Sequence, residues 1–116
     1  MEFIESKIFN YRRKQLMSDE ELKEIQIELL KFPEKGIVIK GTGGIRKVRT
    51  ANRRMGKGKR GGNRLLYLHI PKINNIHLLY LFYKGEKENI TEPEQKILKK
   101  LVIELKKETV KSGDKI

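Results

Sequence analysis

The stretch GTGGIRKVRTANRRMGKGKRGGNRLLYL, residues 41–68, carries the strongest structural signals in this 116-residue chain. Residues 45–50 alternate apolar and polar side chains, and residues 64–70 are mostly apolar, so each segment predicts a strand. Residues 53–62 combine glycines with cations and predict a mobile, basic loop between the two strands. We therefore expect the centre of the chain to be a sheet that carries a basic loop.

The C-terminal part of the sequence extends this sheet and adds a helix. Residues 75–83 predict a strand that pairs antiparallel with residues 64–70 across the turn residues PKINN. The sequence TEPE at 91–94 is a capping box with proline in the first turn, and an apolar stripe carries the following helix to about Lys107. The closing residues TVKSGDKI are expected to be a frayed tail.

The N-terminal part predicts a short strand over residues 2–6 and a helix over residues 8–16. Ser18 and Glu21 form a capping box for a second helix, which ends before Pro33. Four residues form the apolar face of that helix: Leu22, Ile25, Leu29 and Leu30. The predicted order β-α-α-β-β-β-α is an α+β fold, with a helical hairpin on one face of a small, antiparallel-rich sheet and a C-terminal helix. We expect one domain over residues 1–108 and a flexible tail over residues 109–116.

The net charge of +12 is unevenly distributed along the chain. Residues 35–85 contain 13 Lys and Arg and no Asp or Glu, whereas the two ends hold all 15 acids. A surface shaped only by solubility would intersperse the two signs, so this exclusion indicates an anionic partner. An anionic membrane is the competing interpretation, but the basic stretch lacks the amphipathic helix typical of membrane-surface proteins. Nucleic acid, and RNA in particular, is the favoured partner.

The composition also excludes several classes of protein. Because the chain has no cysteine, it has no disulfide framework, Cys-based zinc site or thiol nucleophile. The N-terminus has no apolar run of signal-peptide length, and the longest apolar stretch, around residues 76–83, is too short to cross a bilayer. We therefore expect a cytoplasmic protein that does not contact a membrane.

A basic cluster is predicted on one face of the sheet. Lys47 and Arg49 are two residues apart on a strand, so both side chains leave the same face. Arg64 begins the neighbouring strand, and Lys84 and Lys87 lie just beyond the last one, at its rim. Lysine offers phosphate a point charge, whereas arginine can hold two phosphate oxygens. A solvated basic face explains any one of these residues, but gathered like charges repel one another and need a reason.

The loop cations are interpreted as residues that position RNA rather than do chemistry. They are Arg53, Arg54, Lys57, Lys59 and Arg60. The glycine-rich runs match neither GxxxxGK[ST] nor GxGxxG ahead of a helix, so a nucleotide-binding fold is not expected. His69 and His77 have no nearby carboxylates in the sequence, and we interpret them as packed residues. No metal site and no cofactor are expected.

The sequence resembles HigB-type toxins of the RelE superfamily. The resemblance covers residues 1 to about 107. It rests on residues 41–68, on the run IHLLYLFYKGEKENITEPEQKILKKL at 76–101, and on the segments FNYRRKQLMSDEELKEIQ and FPEKGIVI. It implies a toxin that cleaves mRNA on the ribosome and is neutralised by an antitoxin encoded beside it, expected to be a small helix-turn-helix protein. The toxin alone is expected to be monomeric.

The resemblance also implies roles for four residues as the catalytic set. Lys47 and Arg49 fall where the RelE cleft has a strand-borne basic pair, Arg64 falls on an arginine that starts the next strand, and Lys84 falls on a lysine after the last strand. Gly85 stands where RelE has an arginine. The functional tyrosine of RelE has no counterpart, because residues 88–92 read ENITE. These departures favour charge stabilisation over acid–base roles.

The hypothesis is an attack of an RNA 2′-OH on the adjacent phosphate without a metal, with Arg64 and Arg49 holding the phosphate. Lys47 or Lys84 could act as the base if neighbouring cations depress its pKa. Lys87 is grouped with the loop cations as an RNA-binding residue. The alternative is a non-catalytic RNA- or ribosome-binding module. A DNA-binding domain is disfavoured because no recognition helix is visibly basic.

Overall fold

The computed structural model describes residues 1–114 of the chain, with side chains through Thr109. The described part forms one five-stranded sheet, two N-terminal helices and a long C-terminal helix. The strands are β1 (Glu2–Glu5), β2 (Ile37–Val38), β3 (Arg46–Thr50), β4 (Asn63–Ile70) and β5 (Asn75–Tyr83). The helices are α1 (Lys7–Leu16), α2 (Asp19–Lys31) and α3 (Glu92–Asp114). The α+β class and the hairpin-plus-C-terminal-helix layout are confirmed.

The sheet has the order β1-β5-β4-β3-β2, in which only the β1–β5 pair is parallel. The β4–β5 hairpin turns through a short 3-10 segment, Pro71–Ile73, followed by Asn74. Asn74 has a φ of 54°, a left-handed conformation that asparagine tolerates better than most residues. β4 lies at the centre of the sheet, so the residues at its start are positioned from both sides.

The helical hairpin packs on one face of the sheet. The capping box that begins α2 is present: the Ser18 hydroxyl accepts from the Glu21 N–H at 3.1 Å, and the Glu21 carboxylate accepts from the Ser18 N–H at 3.0 Å. Val48 of β3 is buried under these helices, as its alternation with Lys47 predicts. The core of this face consists of Phe9, Met17, Leu22, Ile25, Leu29, Val48, Leu65, Tyr67, Ile76, Leu78 and Leu81.

Helix α3 covers part of the opposite face. Its capping box is also present, with the Glu94 carboxylate accepting from the Thr91 N–H at 2.8 Å. The second core consists of Ile45, Leu66, Leu68, Ile70, Leu79, Phe82, Leu98 and Val102. Lys47 and Arg49 project from β3 on this same face, and Arg49 is exposed. The face is therefore apolar beneath α3 and basic where β3 approaches solvent.

The turn between β2 and β3 explains the run GTGG. Gly43 has a φ of 81°, and a Cβ at this position would lie 3.2 Å from a methyl carbon of Val102 on α3. Thr42 is fully buried, and its hydroxyl donates to the Ile39 carbonyl at 2.7 Å and accepts from the Ile45 N–H at 3.1 Å. The run therefore closes a β-hairpin against α3.

Three expectations about the fold need correction. The structure has an additional two-residue edge strand, β2, which is too short to show an alternation in sequence. Leu30 is 48% exposed, so the buried face of α2 ends at Leu29. Helix α3 continues to Asp114, seven residues beyond the expected end, because a helix already begun adds residues at little cost. Most of the expected tail is thus helical, and its last two positions, Lys115 and Ile116, lie outside the described residues.

Within residues 1–114, no helix combines the length and the apolar character needed to cross a membrane.

Candidate functional site

A basic groove lies on the sheet face that α3 leaves uncovered. It is open to solvent, has a volume of about 600 Å³, and every ionisable side chain that lines it is a cation. The structure brings together five residues that the sequence singled out, and adds one that it did not, Lys35. The lining residues are Lys35, Ile37, Lys47, Val48, Arg49, Lys59, Arg60 and Arg64.

Arg49 and Arg64 are direct partners in the β3–β4 pairing, so their side chains leave the same face side by side. Their environments differ sharply, since Arg49 is exposed and Arg64 is only 4% exposed. Burial, and then the charge of Arg49, lowers the pKa of the Arg64 guanidinium from its ordinary value. Two neighbouring cations without a carboxylate between them form a strongly positive point in the groove.

The Arg64 guanidinium holds the basic loop in place. Its Nη1 donates to the Lys59 and Asn63 carbonyl oxygens, each at 3.1 Å, and its Nη2 donates to the Arg60 carbonyl oxygen at 2.8 Å. A guanidinium has five N–H donors, so two are left for another acceptor. Arg64 is therefore both part of the groove wall and the anchor of the loop that carries Lys59 and Arg60.

Two buried asparagines, which the sequence analysis did not identify, also fix this loop. The Asn52 Nδ2 donates to the Asn63 Oδ1 at 3.0 Å, and the Asn63 Nδ2 donates to the Leu16 carbonyl at the end of α1 at 2.9 Å. Asn52 also forms a β-bridge with Lys57 and accepts from the Met55 N–H at 3.1 Å. The loop is thus more structured than its glycine content predicts. The one sign of this anchoring role in the sequence is that Asn52 and Asn63 stand on either side of the loop, residues 53–62.

The segment between α2 and β2, which contains Lys35, is held in place by Tyr67, a residue of the core under the helical hairpin. The Tyr67 hydroxyl donates to the Pro33 carbonyl and accepts from the Gly36 N–H, both at 2.9 Å. Burial raises the pKa of Tyr67, which keeps the hydroxyl protonated and able to donate. Lys35 is consequently held at the groove by a residue of the opposite core.

Acids of α2 neutralise part of the predicted basic surface. Arg53 donates to both carboxylate oxygens of Glu24, at 3.0 and 2.7 Å, and this pairing raises the pKa of Arg53. The Glu28 carboxylate accepts from the Lys35 Nζ at 2.9 Å and from the Lys59 Nζ at 3.2 Å. The hydrogen bond from Lys35 has the largest effect on the pKa of Glu28, and together with the contact to Lys59 it lowers this pKa, although burial opposes the shift. A stretch without acids in sequence is therefore not free of acids in space.

Four cations of the groove keep their charge unopposed. Among the described side chains, no carboxylate lies within 4 Å of Lys47, Arg49, Arg60 or Arg64. An anion that enters the groove would meet these four residues without competing with a carboxylate. They are the core of the candidate site.

The remaining predicted residues lie outside the groove wall. The Lys84 N–H donates to the Gly62 carbonyl at 3.0 Å, so its backbone adjoins the loop while its side chain is exposed. Lys57 is exposed, and Arg54 donates to the Lys14 carbonyl at 2.7 Å. Lys87 contacts both carboxylate oxygens of Glu94 at 2.6 Å, which leaves less of its charge available to RNA.

The two histidines do not meet. His69 is paired across the sheet with Ile76, and His77 with Leu68, so the two imidazoles point to opposite faces. Burial lowers the pKa of His77, which favours its neutral form. Within the described part of the chain, no group of three His, Cys, Asp or Glu residues could hold a metal ion.

A family model described as the RelE toxin of the RelE / RelB toxin–antitoxin system matches residues 2–112. This match includes every strand, both N-terminal helices and most of α3. The chain belongs to the RelE toxin family. It is a toxin of a toxin–antitoxin pair, with an antitoxin as its cognate partner, and RelE toxins generally cleave mRNA. The HigB subtype stays a prediction.

The structure gives a physical reason for one departure of this RelE toxin from the pattern described above. A Cβ at Gly85 would lie 2.3 Å from a ring carbon of Tyr83, so an arginine here would require that ring to move. Any side chain at position 85 would therefore displace the half-buried ring of Tyr83.

Proposed function

We propose that this RelE toxin is an mRNA endoribonuclease that acts on the ribosome, in the cytoplasm, and needs no metal ion. The observation that supports this most is the groove in which Lys47, Arg49, Arg60 and Arg64 lie without a carboxylate partner. Such a groove attracts the phosphates of RNA and repels a divalent cation.

In the proposed reaction, the RNA 2′-oxygen bonds to the adjacent phosphorus and the bond from phosphorus to the 5′-oxygen breaks. The 2′-OH loses its proton to a base, and the departing 5′-oxygen gains one. Negative charge grows on the phosphate oxygens, where preorganised N–H donors are most effective. The exposed Arg49 and the two spare donors of Arg64 supply this stabilisation. Lys47 and Lys84 are the candidates for the proton transfers: Lys47 lines the groove, whereas the exposed Lys84 lies outside its wall and would have to reach the bound RNA from the end of β5.

Two features of the partners belong to the same proposal. Cleavage is proposed to require the ribosome, which presents the mRNA to the groove. The antitoxin is proposed to be a small helix-turn-helix protein encoded beside the toxin, and the toxin without it to be a monomer. A non-catalytic RNA-binding module would share the groove's charge but would leave the RNA chain intact.

The test is incubation of the purified toxin with ribosomes programmed with a defined mRNA, followed by mapping of new RNA ends. Attack by the 2′-OH leaves a 5′-OH on the downstream fragment, which polynucleotide kinase labels directly. Arg49→Ala should lower the cleavage rate about 10²–10³-fold, because it removes one donor to the developing charge. Lys100→Ala is the matched control, since Lys100 is an exposed cation on α3 away from the groove.

Each arm of this experiment has an outcome that contradicts part of the proposal. RNA that stays intact at high toxin concentration would favour the binding module. New ends that carry a 5′-phosphate would contradict attack by the 2′-OH. Equal cleavage of naked mRNA would contradict ribosome dependence, and full activity of Arg49→Ala would remove the groove as the site.

A further inference from the structure

A second, smaller cavity adjoins the basic groove. Its volume is about 150 Å³, and Lys47 lines both spaces, so the lysine stands at the boundary between them. The residues that line the cavity are Ile39, Lys47, Leu66, Phe82, Asn89, Ile90 and Gln95. With the exception of Lys47, none of these residues carries a charge.

The inner surface of this cavity is apolar. Leu66 and Phe82 are fully buried members of the core beneath α3, and Ile39 and Ile90 are partly buried beside them. Ile39 and Ile90 keep part of their aliphatic surface exposed, with Leu66 and Phe82 buried behind them, so a flat, hydrophobic group can lie against this wall.

The rim of the cavity carries two side-chain amides with weak internal contacts. The Asn89 Oδ1 lies 3.4 Å from the Lys47 Nζ, and the Gln95 Nε2 lies 3.4 Å from the Lys40 carbonyl oxygen. Both distances exceed those of strong hydrogen bonds, so a ligand could replace these contacts at little cost. Each amide offers both a donor and an acceptor.

We propose that this cavity binds one nucleobase of the RNA substrate and that Asn89 and Gln95 select which base it is. The inference rests on the proposed function, because it takes RNA to be the ligand of the groove. A phosphate held by Lys47 leaves its own nucleotide's base within reach of the adjoining cavity. The apolar floor suits the face of a base, and the two amides suit the donors and acceptors on its edge.

The chemistry of the cavity favours a base over other occupants. A second phosphate would find one cation and two neutral amides above an apolar floor, so most of its charge would lie against apolar surface without compensation. A purely aliphatic side chain of a protein partner would leave both amides without a hydrogen-bond partner. A nucleobase satisfies both halves of the cavity.

The test measures binding of four short RNAs that differ only in one base and carry 2′-O-methyl groups, which block the nucleophile. Fluorescence anisotropy on the free toxin at low salt should show at least a 10-fold preference among the four bases. Asn89→Ala and Gln95→Ala should each reduce that preference about 5- to 10-fold, the effect of one lost hydrogen bond to a neutral group. Affinity for the least preferred RNA should stay within about 2-fold of wild type.

A third variant, Ile90→Trp, fills the cavity without altering the charge of the groove. This variant should bind the four RNAs with equal affinity. On ribosomes, its cleavage sites should be scattered over many sequences. Lys100→Ala should retain the wild-type preference.

Three results would overturn the inference: equal affinity of the wild-type toxin for all four RNAs, an unchanged preference in both amide variants, or no detectable binding of any RNA. The inference and the proposed function fail separately. Base-selective binding that the amide variants abolish, with no cleavage on ribosomes, would support the cavity and reject the nuclease. Cleavage on ribosomes without any base preference in binding would support the nuclease and reject the cavity as a base-binding site.

Discussion

The substitution Arg64→Ala should damage both the stability of the toxin and its activity, and the contacts of this side chain give the size of each effect. Arg64 is 4% exposed and donates to three carbonyl oxygens, those of Lys59 and Arg60 in the loop and that of Asn63 at the start of β4. A hydrogen bond from a charged donor contributes roughly 1.5–3 kcal/mol, but three bonds from one group are not additive. We expect the free energy of unfolding to fall by about 2–4 kcal/mol.

Such a loss is measurable and distinguishes Arg64 from a solvated residue. For a 116-residue domain, each kcal/mol lowers the melting temperature by about 4 °C. Arg64→Ala should therefore melt at least about 8 °C below wild type, whereas an exposed residue without such contacts usually changes stability by no more than about 0.5 kcal/mol. Arg49→Ala is the matched comparison, because Arg49 is the exposed cross-strand partner of Arg64.

The two arginines should separate in a paired assay of thermal melts and cleavage on ribosomes. Arg49→Ala should melt like wild type and lose about 10²–10³-fold in cleavage rate. Arg64→Ala should lose stability and cleavage together, and Arg64→Lys should recover only part of each, because an ammonium keeps the charge without the fork of donors. A wild-type melting temperature for Arg64→Ala would refute the anchoring role, and wild-type cleavage by that variant would refute its part in the groove.

Two further predictions test the supports around the site. Glu94→Gln should destabilise the toxin by about 2 kcal/mol at pH 7, and the difference should vanish near pH 2. Burial raises the pKa of Glu94, but the hydrogen bonds from Lys87 and Thr91 outweigh burial and lower the pKa from 4.5 in the unfolded chain to about 2. The stabilisation is therefore complete above pH 4.5 and is lost as the pH falls through 2. Urea unfolding of both proteins across this range measures it, and a constant difference would contradict it. Gly62→Ala should lower the free energy of unfolding by at least about 2 kcal/mol, because the added Cβ would lie 2.3 Å from the Thr50 carbonyl oxygen. Gly58→Ala is the control and should be tolerated, since no heavy atom lies within 4 Å of the added carbon. Equal melting temperatures of the two variants would show that the loop relaxes freely.

The elements of the fold could be predicted wherever their signals are local. The two capping boxes, at Ser18 and at Thr91, each need only residues three positions apart, and both are present. Strand β5 has the predicted bounds, because its β-formers are continuous and turn residues flank it. The paired strand positions of Lys47 and Arg49 likewise follow from a two-residue period. These features depend on neighbours in sequence, and the sequence alone was sufficient for them.

The state of each charge could only be decided by the tertiary structure. Position 64 could be assigned to the start of a strand from sequence, but its burial depends on how a loop folds back over it. Glu24 and Glu28 lie outside the acid-free stretch, yet packing of α2 brings them against Arg53 and Lys59. Strand β2 exists because β3 offers it an edge. Local periodicity sets which way a side chain points, whereas burial and charge pairing depend on segments that meet only when the chain folds.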